Sequence, residues 1–171
     1  MKKIIILLAV IGMFGLQGCE GPEGPPGPPG QDGLIGDVYE ISSVSFTTGN
    51  KFSILYTFGK TIFTSDKVLV YRLSGLDNTG ADIWKLIPEN HFFPNGTLNF
   101  GYEFDFTYKD VRIFMIGNSL ETVSTDFISN QIFRIVVLPA GMVDAIDKNN
   151  YKAVINALNI KENKIQKIDV Q

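Results

Sequence analysis

Cysteine is almost missing from this sequence: Cys19 is the only one in 171 residues. No internal disulfide can form, and neither a multi-thiolate metal site nor a cysteine-pair redox centre can be built. Histidine is as scarce. His91 stands alone before Phe92-Phe93 and near a turn, without the partners of a His-based zinc site and without a GxSxG serine motif. It reads as a histidine at a strand edge. Positive charge is also short, with 15 Lys+Arg against 18 Asp+Glu and a formal charge of −3. No basic stripe is available to neutralise phosphates, which excludes a nucleic-acid partner. The GxGxxG fingerprint is missing, so a flavin or nicotinamide oxidoreductase has no support, and no cofactor is expected. Asp77-Asn78-Thr79-Gly80-Ala81-Asp82 offers oxygen ligands but lacks the spacing and terminal Glu of an EF-hand, and reads as a polar hairpin loop. No apolar run reaches the about 20 residues that a transmembrane helix needs.

What is present begins at the N-terminus. Lys2-Lys3 is a positive n-region and Ile4–Leu16 an apolar h-region, the layout of a signal peptide. Leu16-Gln17-Gly18-Cys19 follows as a lipoprotein processing box: the small Gly18 suits cleavage before a lipid-modified cysteine, while Gln17 departs from the usual small or branched residue. Cys19 is therefore the expected lipidation site. At roughly 0.8 kcal/mol per buried methylene, two or more acyl chains anchor stably where one would not. Loss of Lys2 and Lys3 with the leader makes the remaining chain two charges more acidic.

Directly after the cysteine come Gly-X-Y triplets, with Gly21, Gly24, Gly27, Gly30, Gly33 and Gly36 in register and five of the eight prolines among them. Only glycine fits at the axis of a collagen triple helix. As a single chain, the segment is an extended polyproline-II stalk of about 3.1 Å per residue. As three chains, it makes a homotrimer, helped by confinement of anchored copies on one membrane. The stalk is the preferred reading. Here the chain resembles short collagen-like lipoproteins of Gram-negative bacteria, which place a few triplets between a lipidated cysteine and a compact β-rich domain. Lys67–Leu73 (KVLVYRL) and Gln131–Pro139 (QIFRIVVLP) look like strands recurring in that group. The resemblance implies an exported protein anchored in the cell envelope, at the outer membrane or cell surface. It supplies no catalytic residue.

About 135 residues follow the last triplet, enough for one domain with its own core. Leu98, Phe100, Tyr102, Phe104 and Phe106 alternate with Asn99, Gly101, Glu103, Asp105 and Thr107, a strand with one buried and one wet face. Asn95-Gly96 before it signals a hairpin turn. Phe52, Ile54, Tyr56 and Phe58 form a second stripe. Val68–Leu73 and Ile132–Leu138 are apolar on both faces apart from Arg72 and Arg134, which marks central strands. Val38–Thr47, Ala81–Ile87 and Val111–Gly117 complete the set. The expected fold is all-β, an antiparallel sandwich or barrel of seven or eight strands. After Pro139 the period turns helical: Val143, Ile146, Val154, Ile155 and Leu158 share a face, Asn149-Asn150 are caps, and Lys161–Ile168 is a last short helix. The division expected is a signal peptide to 18, a lipidated stalk over 19–37, a β-domain over 38–139 and a helical tail over 140–171 packing on it.

No catalytic constellation accompanies these elements. Glu103 and Asp105 share a strand face about 7 Å apart, a spacing open to glycosidase chemistry, but such alternation normally marks a solvated face. Aromatics are the more suggestive feature. Tyr71, Trp84, Phe92, Phe93 and Tyr108 fall near strand ends or turns, where they could make a sugar- or protein-binding surface. The function expected is a non-enzymatic, lipid-anchored display module with a structural or adhesive role. A glycan- or ligand-binding module is the alternative, and a glycoside hydrolase the remote one.

Overall fold

A computed structural model describes residues 36–142 and 146–170. The leader, Cys19 and the first five triplet glycines lie outside the described residues. The described chain is a β-sandwich of nine strands. One sheet has the order β4-β3-β8-β1-β9 and the other β2-β7-β6-β5. The strands are β1 (Asp37–Val44), β2 (Ser53–Thr57), β3 (Lys67–Leu76), β4 (Asp82–Leu86), β5 (Glu89–Phe92), β6 (Leu98–Phe106), β7 (Asp110–Ile116), β8 (Gln131–Leu138) and β9 (Gln166–Asp169). All pairings are antiparallel except β1 with β9. Of the two all-β forms expected, the chain adopts the sandwich. Both sheets keep edge strands and do not close.

Strand parity sorts the core into two layers. Tyr39, Ile41, Val68, Val70, Phe133, Ile135 and Val137 project from the five-stranded sheet toward Phe100, Tyr102, Val111, Ile113 and Met115 of the other. The alternate residues Val38, Leu69, Tyr71, Val136 and Leu138 pack on the opposite face against Val154, Ile155, Leu158 and Ile165. The middle of this sheet is therefore covered twice, which is why β3 and β8 read as apolar runs without alternation. Asn150 caps the covering helix, its side-chain oxygen accepting from the Ala153 amide at 3.1 Å. The helix stops after Ala157, where Asn159 takes positive φ and the Ile160 amide returns to the Ile155 carbonyl.

Five expectations are corrected. The helix starts at Tyr151, so Ile146 precedes it, while Val143 lies outside the described residues. Lys161–Ile168 is not a helix: a short 3-10 turn at Glu162–Lys164 leads into β9, which adds to the free edge of β1. The expected boundary at 139 thus has no counterpart in the sheet, since β9 belongs to it. β5 is an additional strand. Its half-buried positions are the polar Glu89 and His91, so it carries no apolar stripe to be read. Finally, the stalk does not extend to 37. Asp37 begins β1 and Val38 is buried, so the sixth triplet is part of the sandwich. A Cβ at Gly36 would lie 2.6 Å from Leu158 Cδ2 and 2.7 Å from the Val137 carbonyl oxygen. Gly36 is small for the domain's sake.

The ends of the sandwich differ. Asp37, Lys67 and Leu138 share one end through the β1–β8 and β3–β8 registers, and the β6–β7 hairpin joins them there through the Phe58 and Ile62 amides. This is where the chain enters from residue 36. The β3–β4 and β5–β6 hairpins and the 117–130 connection lie at the far end.

Candidate functional site

The five aromatic candidates do not converge. Tyr71 is wholly buried and donates its hydroxyl to the Lys148 carbonyl at 2.6 Å, so it is core and not ligand surface. Its β3 position points it under the covering helix, and that burial pushes its pKa above the ordinary tyrosine range. Phe92 and Phe93 are exposed at the β5–β6 hairpin, and Tyr108 is exposed at the β6–β7 hairpin, so they flank opposite ends of β6. Trp84 lies on the other sheet. The aromatics belong to three separate places.

The remaining polar candidates have local duties. Asp77 Oδ1 accepts from the Thr79 amide, the Thr79 hydroxyl and the Ala81 amide, closing the β3–β4 turn. Asn95 does the same for Thr97, with Gly96 alone at positive φ. Asp105 is ion-paired with Arg112 across the strands, and neither it nor Glu103 lines any of the clefts described below.

The structure instead singles out the two arginines that interrupt the apolar strands. Arg72 projects toward the facing sheet and donates from Nε and Nη2 to both carboxylate oxygens of Glu89 on β5, at 2.8 and 2.9 Å. This bidentate pair ties one sheet to the other and lies over the Tyr102 ring at 5.0 Å. Lys85 reaches Glu89 at 3.4 Å. Burial pushes the Glu89 pKa up, but the Arg72 hydrogen bond and the surrounding positive charges win and hold it below the usual carboxylate range. His91 stacks on Phe100 with centroids 4.3 Å apart, and its Nε2 is 3.2 Å from Glu89 Oε1 without a hydrogen bond. Burial lowers its pKa against the pull of Glu89.

A cleft of about 470 Å³ opens beside this group, lined by Arg72, Ser74, Gly75, Lys85, His91, Asp126, Phe127, Asn130 and Gln131. Its floor comes from the far halves of β3 and β8. Its wall is the one-turn helix Thr125–Ile128, which is held by the Tyr102 hydroxyl donating to the Phe127 carbonyl at 2.6 Å. With Glu89 ionised and both its oxygens engaged, the cleft offers hydrogen-bond donors and acceptors around aromatic edges.

Arg134 projects the other way. On the register row Leu86–Tyr71–Arg134–Glu40–Lys167 it faces Glu40, to which it donates at 2.8 Å. It also binds both oxygens of Glu162 and the Tyr151 hydroxyl. Four of the five guanidinium N–H groups are thereby hydrogen-bonded. The Trp84 ring lies 4.1 Å from its Cζ. Asp82, Trp84, Tyr151, Lys152, Asn156 and Glu162 line a groove of about 380 Å³ between β4 and the covering helix. The sequence signal for both sites was the lone charge in each apolar strand, but the partners are distant in the chain and carry no mark.

Among the described residues, no group of three or more His, Cys, Asp and Glu side chains is placed to hold a metal ion, and no helix is long and apolar enough to cross a membrane. Comparison with protein-family models, with curated proteins and with solved structures finds no match for this chain.

Proposed function

We propose that this chain is an exported, lipid-anchored display protein of the cell envelope, with a non-enzymatic structural or adhesive role. In this reading acylated Cys19 holds the chain to the membrane, and the Gly-X-Y residues link that anchor to the sandwich. One observation carries the reading: the chain enters at Gly36–Asp37, whereas the 470 Å³ cleft lies toward the other end of the sandwich. From Val68 to Gly75 is seven residues along β3, roughly 23 Å at the rise of an antiparallel strand. A tether at one end and a polar cleft toward the other is the geometry a presenting module needs. Metabolic labelling with palmitate tests the anchor. The wild type incorporates label and sediments with membranes, and Cys19→Ala does neither; equal labelling of the two removes the proposal.

A second reading, ligand binding with glycan as the first class to try, is favoured by the groove at Trp84. An indole pinned by Arg134 stands beside the carboxylate of Asp82, the amide of Asn156 and the amine of Lys152, a mixture suited to a neutral polyol. Trp84 is the only tryptophan, so its emission reports on this groove alone. Titration with chito-, cello-, malto- and manno-oligosaccharides shifts that emission saturably, and Asp82→Ala weakens the response at least tenfold. A flat titration with all four removes this reading.

A further inference from the structure

β4 is an open edge of the five-stranded sheet. The Ile87 amide donates to the Val70 carbonyl at 2.9 Å, and the Asp77 amide to the Ala81 carbonyl at 2.8 Å. Tyr71–Leu86, Leu73–Trp84 and Leu76–Asp82 are therefore the non-hydrogen-bonded pairs of the β3–β4 ladder. The amides and carbonyls of Asp82, Trp84 and Leu86 turn away from β3, to the side where no further strand follows. Among the described residues, no other backbone hydrogen bond engages them. Such a row is a template for another chain. Side chains alternate along it, so the edge has two unlike faces. Asp82 and Trp84 line the groove of about 380 Å³, and Lys85 lines the cleft of about 470 Å³ between the sheets. The other edge strands lack this: β2 and β9 line neither, and β5 reaches only the larger cleft, through His91.

We infer that β4 takes up an extended segment of a partner protein as an antiparallel strand added to its sheet. The inference rests on the adhesive reading above and names the chemistry of its partner. Backbone bonds at the open edge supply affinity, and the flanking side chains supply choice. Asp82 has no ion-pair partner among the described residues. The Lys85 side chain is half exposed, and Glu89, 3.4 Å away, already receives two bonds from Arg72. The two charges lie on opposite faces, three residues apart. An antiparallel partner therefore meets Lys85 with a carboxylate and, three residues later, Asp82 with a cation. The two residues between lie opposite Trp84 and Ile83, where β-branched or aromatic side chains pack best. Ile83 is 39% exposed and awaits such cover. A second copy of this chain is a poorer occupant. Two β4 strands centred on Trp84 would set Lys85 against Ile83 and Asp82 against Leu86, pairing no charges.

The test titrates the full chain, in detergent, with the end-blocked peptide Thr-Val-Glu-Val-Val-Lys-Thr and follows Trp84, the only tryptophan. The emission shifts saturably. The isomer Thr-Val-Lys-Val-Val-Glu-Thr, of identical composition, sets like charges against both β4 residues and binds at least tenfold more weakly. N-methylation of the valine opposite Trp84, whose amide faces β4, weakens binding at least tenfold. The same change at the next valine, whose amide points away, alters it less than twofold. Asp82→Lys reverses the choice at its position and prefers Thr-Val-Glu-Val-Val-Glu-Thr at least fivefold, which also shows that the variant is folded. Equal binding of the two isomers, equal effects of the two N-methylations, or flat titrations with every peptide overturn the inference. An oligosaccharide response beside flat peptide titrations likewise overturns it and leaves the groove to the glycan reading. Failure of the anchor is seen separately, because palmitate labelling is lost while these titrations are unchanged.

Discussion

Arg134 shows how one residue can hold a terminal segment. Its side chain is 4% exposed and is shared by Glu40 on β1, Glu162 ahead of β9 and Tyr151 on the covering helix. Three pieces of chain far apart in sequence thus meet on one guanidinium. Arg134→Ala strands the largely buried Glu40 carboxylate and frees the tail, and loss of one member of a buried pair costs about 3–5 kcal/mol. The expected outcome is a drop of that size in unfolding free energy by urea titration. Arg134→Lys does not restore it, because a point charge cannot span Glu40 and both oxygens of Glu162. The identity of this residue was visible in QIFRIVVLP, where arginine breaks an apolar run, but its purpose was not. Glu40, Tyr151 and Glu162 are ordinary surface-type residues until the fold brings them together. Tyr71 is the reverse error: its place near a turn suggested exposure, and the helix laid over β3 buries it.

At the scale of elements, period-two stripes located β2 and β6 because a half-buried sheet imposes them, unbroken apolar runs located the twice-covered β3 and β8, and β6 follows its stripe from Leu98 to Phe106. The two strands that escaped reading have other causes. β5 turns Glu89 and His91 inward to meet Arg72, which inverts its pattern, and β9 has only Ile168 as an apolar contact and depends on the open edge of β1. Gly36 belongs to this scale too, since two elements meet over it. Gly36→Ala forces a methyl group against Leu158 and the backbone of Val137. We expect a loss of about 1–3 kcal/mol, read as a lower thermal midpoint. Gly27→Ala, outside the sandwich, leaves that midpoint of the β-domain unchanged. Equal effects would place the two glycines in one structural unit.

The stability of the whole molecule against acid follows from the groups buried between and upon the sheets. His91 has its pKa lowered by burial from the ordinary 6.5, so between that value and its folded pKa the unfolded chain binds more protons. Stability is therefore full above about pH 6.5 and falls as pH drops through this window. Glu40 and Glu89 are both held below their ordinary 4.5, against burial, by hydrogen bonds and charge from Arg134 with Lys167 and from Arg72 with its neighbours. Their contribution is present above pH 4.5 and is lost as pH falls below it. Thermal melts across pH 3–8 should show a shallow decline starting near 6.5 and a steeper one below 4.5. His91→Phe, which keeps a ring against Phe100, should abolish the first and keep the second. Persistence of the shallow step in that variant would falsify its assignment to His91.

The sequence by itself determined the all-β class, the aromatic stripes at Phe52–Phe58 and Leu98–Phe106, the hairpin turns and the helical cap at Asn150, because each depends on residues adjacent or regularly spaced in the chain. Only the tertiary structure decided which way β5 faces, that the tail returns as a ninth strand, and that the last triplet glycine packs on Leu158. It also decided that the two interior arginines bind across the fold, and that β4 lies between a polar cleft and the Trp84 groove. Those features are made by residues tens of positions apart, and nothing local in the chain requires them to meet.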